Sequence, residues 1–202
     1  MRRDFLAGVL ALSVLAFSGA AATSASAASD PDHPRVAITT AKGTIVIELE
    51  GKKAPITTKN FLKYVDGHKY DGTTFWRAAN SGASGFIQAS PDGPTFPPIK
   101  HESTQQTGLS HTDGTISMSR FAVGTATGDF VLCVGDNTFM DAGPNSGSDD
   151  HQGYAAFGHV VKGMDVVKSI LHGRIAKGKA KAGGWSGQML AVPVKIISAK
   201  RV

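Results

Sequence analysis

The chain of 202 residues offers chemistry most clearly at Phe75-Trp76-Arg77. Thr73 to Ala79 is β-branched and aromatic, and a guanidinium in such a segment is costly unless it is paired or put to use. Eleven residues after Arg77, Gln88 adds an amide that both donates and accepts. An arginine stays charged and holds its donors in one plane, which suits it to meeting charge that develops on a reacting atom. On these residues alone, an arginine on the polar face of a half-buried hairpin is the commoner arrangement, since surface arginines are frequent. Other catalytic sets do not assemble. There is no Gly-x-Ser-x-Gly elbow and no Walker loop. The histidines (33, 68, 101, 111, 151, 159 and 172) never fall at His-Glu-x-x-His spacing, and each reads as a surface or turn residue. Ser110-His111-Thr112-Asp113 has the residue types of a triad, but neighbours in one turn cannot take triad geometry. Residues 145–150 match no calcium-loop spacing, so no metal site is expected. Cys133, the single cysteine, excludes an intrachain disulfide and reads as a small strand hydrophobe.

The elements that must position Arg77 and Gln88 are mostly short strands. Residues 36–40 and 44–50 flank Lys42-Gly43, a hairpin turn, and Ile45, Ile47 and Leu49 line one face of the second strand. Further strands are expected near 73–79, 85–90, 114–119, 129–134, 154–161 and 192–202. Alternation places Arg77 on the face of Phe75, with Trp76 opposite. A helix opens at Ala54-Pro55, carries Phe61, Leu62 and Val65, and ends at Gly67; a second runs from Met164 to Leu171. Many short strands, two helices, no repeat and no βαβ rhythm point to a closed barrel.

The N-terminus reads as an export signal over residues 1–27, leaving one domain over 28–202. Arg2 and Arg3 form a charged head, the run to Phe17 is apolar but too short to span a bilayer, and Ala25-Ser26-Ala27 is a small-residue cleavage site. Arg2-Arg3-Asp4-Phe5-Leu6 also fits a twin-arginine signal. Either route delivers a protein free of membrane insertion, most simply to a bacterial periplasm. Removing Arg2, Arg3 and Asp4 from the 21 basic and 16 acidic residues leaves 19 and 15, a net charge of +4. That charge is too mild to suggest a nucleic-acid partner. Lys177, Lys179 and Lys181 stand among Gly and Ala without an aromatic ladder, and read as a solvated loop.

Three further stretches, taken with Phe75-x-Arg77, carry a family likeness. Phe75-x-Arg77 is followed by Gly114-Thr115-Ile116-Ser117-Met118-Ser119-Arg120, by Gly128-Asp129-Phe130-Val131-Leu132, and by Phe157-Gly158-His159-Val160-Val161-Lys162-Gly163-Met164-Asp165-Val166-Val167. In this order they resemble the cyclophilin family of peptidyl-prolyl isomerases, over Arg35 to Val202. The resemblance implies an eight-stranded antiparallel β-barrel capped by two α-helices, one at each end. It implies isomerisation of X-Pro bonds in Pro-containing polypeptide segments, with no cofactor; a monomer is expected. Arg77 takes the catalytic place and Gln88 the substrate-binding place. Met118 and Ser119 fall beside the groove, Phe139 where many members have Trp, Met140 at its apolar neighbour, and Tyr154 where His is frequent. The family's Phe-Met pair matches either Gly85-Phe86 or Phe86-Ile87, so Phe86 belongs to the pocket under both alignments.

Two positions leave the pattern. Asp129 replaces a groove Gln, and its charge is expected to pair with Arg77 or Arg120. Val131 replaces a pocket Phe and gives a proline ring less to pack against. A weakly catalytic or non-catalytic module that binds Pro-containing segments is therefore the second reading.

Overall fold

The computed structural model describes residues 30–178 and 185–202. The expected signal segment at 1–27 lies outside the described residues, as do Lys179 and Lys181.

Eight strands close into one barrel. In chain order they are β1 (Arg35–Thr40), β2 (Gly43–Leu49), β3 (Thr74–Asn80), β4 (Gly85–Ala89), β5 (Thr115–Met118), β6 (Phe130–Val134), β7 (Ala155–Lys162) and β8 (Met189–Arg201). Around the barrel the order is β1-β2-β7-β5-β6-β4-β3-β8, and every neighbouring pair is antiparallel. Closure leaves no free sheet edge. The period-two pattern sets the inside: Ile45, Ile47 and Leu49 are fully buried, as are Phe75, Ile87, Ile116, Phe130 and Leu132. No helix among the described residues is long and apolar enough to cross a membrane.

Helices α1 (Pro55–Asp66) and α3 (Met164–Leu171) close the two ends. α1 follows the end of β2 and drives Phe61 into an aromatic cluster, its ring centroid 5.4 Å from those of Tyr70, Phe130 and Phe157. α3 lies over the opposite end, where Val166 abuts Gly43 of the β1–β2 turn and Met164 abuts Gly114. α1 has no side-chain N-cap of its own. The buried Glu102 supplies one from afar, its carboxylate accepting from the backbone N–H of Ile56 at 3.1 Å and of Thr57 at 2.8 Å. That places a negative charge on the positive end of the helix. Past α1 the left-handed residue is His68 (φ 53°), whereas Gly67 keeps a negative φ. A short helix, α2 (Thr104–Thr107), is too brief to show a period in the sequence; a Ser103–Gln106 capping box caps its start.

Two strand expectations need correction. β8 begins at Met189, earlier than residue 192, because Met189 pairs with Arg77. Its ladder with β3 then skips to Val194, and Pro193, which has no N–H to give, falls in the gap. The second correction concerns β3. Phe75 opposes Ala89 while Arg77 opposes Gln88, so two steps on β3 match one on β4, a β-bulge at Trp76. The bulge breaks alternation: Phe75 turns into the barrel and Arg77 turns out, on the side of Gln88.

Candidate functional site

The inward residues of β4 and β6 fill the barrel, which leaves Phe86, Gln88, Val131 and Cys133 on the outer face. There Val131, Cys133 and Met140 pack together, with Phe86 and Tyr154 against them. Met140 ends the 3-10 turn Thr138–Met140, which lays the chain over this face. The result is a cavity of about 580 Å³ on the barrel wall. Arg77, Phe86, Gln88, Ser119, Asp129, Val131, Phe139, Met140 and Tyr154 all line it. Met118 does not. It alternates with Ser117 on β5, and its side chain lies in the barrel core, 1 % exposed. Ile87 is likewise inside, so Gly85-Phe86 is the pair that reaches the cavity. Gly85 is required there for close approach, since a Cβ would stand 2.2 Å from the Ala79 carbonyl oxygen.

Arg77 is held at two nitrogens. Nη1 donates to Gln88 Oε1 at 2.8 Å and Nε donates to Gln188 Oε1 at 2.7 Å. The rings of Phe86 and Trp185 each lie 4.9 Å from its guanidinium carbon. Burial pushes the guanidinium down to about 10, against the effect of Tyr154, so it remains charged at neutral pH. Both hydrogen-bond acceptors are neutral amides, and the positive charge is left uncompensated by a carboxylate among the described residues. Gln88 is buried, and its amide oxygen is taken by Arg77, so its NH2 is the group left to donate into the cavity. Trp76, Trp185 and Gln188 line the cavity as well, and sequence reasoning missed all three.

Asp129 does not pair with either arginine. Arg120 is engaged by Asp150 at 2.6 Å, and Arg77 by the two glutamines. The carboxylate of Asp129 stands half-buried in the cavity wall, and burial raises its pKa against the effect of the Ser90 side chain. Arg120 also explains the polar loop at 145–150: Asp150 is its counter-charge, which holds that carboxyl well below the usual range.

The surface reading of the histidines fails at His111, which is completely buried. Its Nδ1 meets Asp141 Oδ1 at 2.5 Å and its Nε2 meets Ser117 Oγ at 2.7 Å. Burial lowers its pKa, and Asp141 opposes that. The three side chains make the bonds of a triad, but His111 takes its carboxylate and its hydroxyl from separated segments rather than from Asp113 and Ser110. Ser117 is fully buried and absent from the cavity lining, so no substrate can meet it. The chain of bonds instead ties the turn bearing Phe139 and Met140 to β5. Burial pushes the Cys133 thiol up to about 12, which disfavours the thiolate.

The family model described as "Cyclophilin type peptidyl-prolyl cis-trans isomerase/CLD" matches residues 35–200. Peptidyl-prolyl cis-trans isomerase A of Dickeya dadantii (strain 3937) is 38% identical over 173 residues, covering 84% of this chain and 84% of that protein. Peptidyl-prolyl cis-trans isomerase B of Escherichia coli (strain K12) is 38% identical over 155 residues, 75% of this chain and 87% of the relative. A solved cyclophilin-type isomerase from Cryptosporidium parvum superposes with a TM-score of 0.68 at 16% identity, over 84% of this chain and 98% of its own, a likeness of fold. By its sequence, the chain belongs to the cyclophilin-type peptidyl-prolyl cis-trans isomerase family.

Proposed function

We propose that the protein is a peptidyl-prolyl isomerase that turns X-Pro bonds in Pro-containing segments of exported proteins, with Arg77 as its catalytic residue. The observation that carries this reading is Arg77 itself: a charged guanidinium with unspent donors, in a cavity that it shares with the apolar cluster of Phe86, Val131, Met140 and Tyr154, beside a glutamine whose NH2 is free to donate. The X-Pro bond resists rotation by roughly 20 kcal/mol because nitrogen shares its lone pair with the carbonyl. Twisting ends that sharing and leaves a basic, pyramidal nitrogen. A fixed donor that meets this nitrogen stabilises the twisted state more than either planar state, with no covalent step or proton transfer. Lowering the barrier by about 7 kcal/mol corresponds to roughly a 10⁵-fold acceleration. Phe86, Val131, Met140 and Tyr154 offer the proline ring its apolar seat, and Gln88 offers the preceding carbonyl a donor.

Cis-to-trans relaxation of a short Xaa-Pro peptide, with and without the protein residues 28–202, tests the reading. Acceleration by the parent and its loss in Arg77→Ala are expected. Unaccelerated relaxation by a folded parent that still binds the peptide favours the second reading, a binding module, for which Asp129 and Val131 in the cavity wall speak. The place of action we propose is the periplasm, on the strength of Arg2-Arg3 and Ala25-Ser26-Ala27. N-terminal sequencing of the exported protein is expected to begin at or near Ala28; an intact Met1 would refute export with cleavage.

A further inference from the structure

We propose that Gln188, supported by Trp185, is a positioning residue for Arg77, fixing the guanidinium so that its unspent donors face the groove. The proposal rests on the isomerase reading for its consequence, but its geometry stands separately. An arginine bonded through one nitrogen can still swing about that bond. Gln88 holds Nη1 only, and the bond from Nε to Gln188 Oε1, at 2.7 Å, is the second anchor that stops the swing. Of the five guanidinium donors, three then have no acceptor among the described residues, and these sit on Nη1 and Nη2.

Gln188 is well placed to hold a partner still. Its backbone carbonyl accepts the N–H of Ala78 at 2.8 Å, and the next residue, Met189, opposes Arg77 across the β3–β8 ladder. The stretch after it is clamped from outside. Ala176 donates to the Met189 carbonyl and Ala191 to the Arg174 carbonyl, both at 2.8 Å, and Ile175 bridges to Leu190. Trp185 accepts from the Gln188 N–H at 3.2 Å through its carbonyl, while its ring lies against Arg77 and, at 5.5 Å, against Trp76. Trp76 is tied in turn through Nε1 to Ser90 Oγ at 3.0 Å. The bulge that turns Arg77 outward and the turn that receives it are thus one contiguous support. A neutral amide at 188 orients the guanidinium without cancelling its charge, which a carboxylate there would do.

The test compares Gln188→Ala and Gln188→Glu with the parent, each also in an Arg77→Ala background. Peptide isomerisation and the ¹H–¹⁵N resonance of Arg77 Nε are the two readouts. Gln188→Ala is expected to lower kcat about tenfold with KM within about twofold, the signature of a misplaced group rather than of lost binding. It should also remove the slowly exchanging Nε–H signal. Gln188→Glu is expected to keep that signal, since it still accepts from Nε, and yet to lower kcat. In the Arg77→Ala background Gln188→Ala should cost nothing further. An unchanged kcat and an unchanged Nε–H signal in Gln188→Ala overturn the proposal, and so does an equal loss in both backgrounds. Should the parent itself prove inactive, the isomerase reading falls alone. The Nε–H signal then decides the positioning claim: its loss in Gln188→Ala supports it and its persistence overturns it.

Discussion

Two arginines line the same cavity and are used in opposite ways. Arg120 spends all its donors on the protein: Nε and Nη2 reach the Gly153 carbonyl, Nη1 and Nη2 grip the Asp150 carboxylate, and Nη1 also meets the Phe121 carbonyl. Its side chain is 2 % exposed, and its charge is matched. Arg77 spends two donors, both on neutral amides. One is a strut that fastens the loop before β7 to the strand after which it lies. The other keeps a field directed into a pocket. Residue type and location are shared; the identity of the acceptors separates a matched charge from an unmatched one.

The largest effect expected from breaking this contrast is on activity. Arg77→Ala should lower kcat/KM by about two orders of magnitude, the size of one lost transition-state donor, while the melting temperature stays near that of the parent. Arg77→Lys keeps a charge but loses the planar fork, and a smaller loss is expected in the same peptide assay. Arg120→Ala should reverse the pattern. Freeing the Gly153 carbonyl and the loop at 145–150 is expected to lower the melting temperature by roughly 4–8 °C, at 2–4 °C per kcal/mol for a domain of this size. Activity should fall only as far as the loop near Tyr154 is loosened. Scanning calorimetry together with the peptide assay on both variants checks this. Equal stability losses in the two would mean that both arginines are struts.

The same division runs through what could be read from the chain. The barrel was legible because one-sided burial imposes period two: Ile45, Ile47 and Leu49 declare their face, and their inward neighbours follow. α3 was legible to the residue, since its apolar stripe begins after the left-handed Gly163. The orientation of Arg77 was not, because a bulge is a property of two strands in register and Thr73 to Ala79 contains no local sign of it. Gln188 and Trp185 were hidden by their setting of Gly, Ala and Lys, which has no period to follow; a lone Trp in such company was the available hint. Met118 was carried by its motif to the right strand, yet its parity points it inward. His111 escaped because its partners, Asp141 and Ser117, meet it only through the fold.

The smallest effect expected is at Asp129, the carboxylate that neither arginine matches. Burial disfavours its charged form, so its pKa in the folded protein lies above that in the unfolded chain. The sign follows from proton binding. Above the folded pKa the ionised side chain is worse placed in the fold than in water, and stability is reduced. As pH falls through the raised value the folded state takes up its proton first, and the penalty fades. Below the ordinary carboxylate value both states are protonated and nothing remains of it. Asp129→Asn keeps the shape and an acceptor for Ser90 while removing the charge. Its melting temperature should therefore exceed the parent's modestly at neutral pH, with the gap closing on acidification. Arg77 and Arg120 keep their own acceptors in this variant, so the Arg120–Asp150 strut is unaffected. A variant less stable than the parent at neutral pH would show instead that Asp129 carries a favourable charge interaction, and the cavity would then hold no unmatched carboxylate among the described residues.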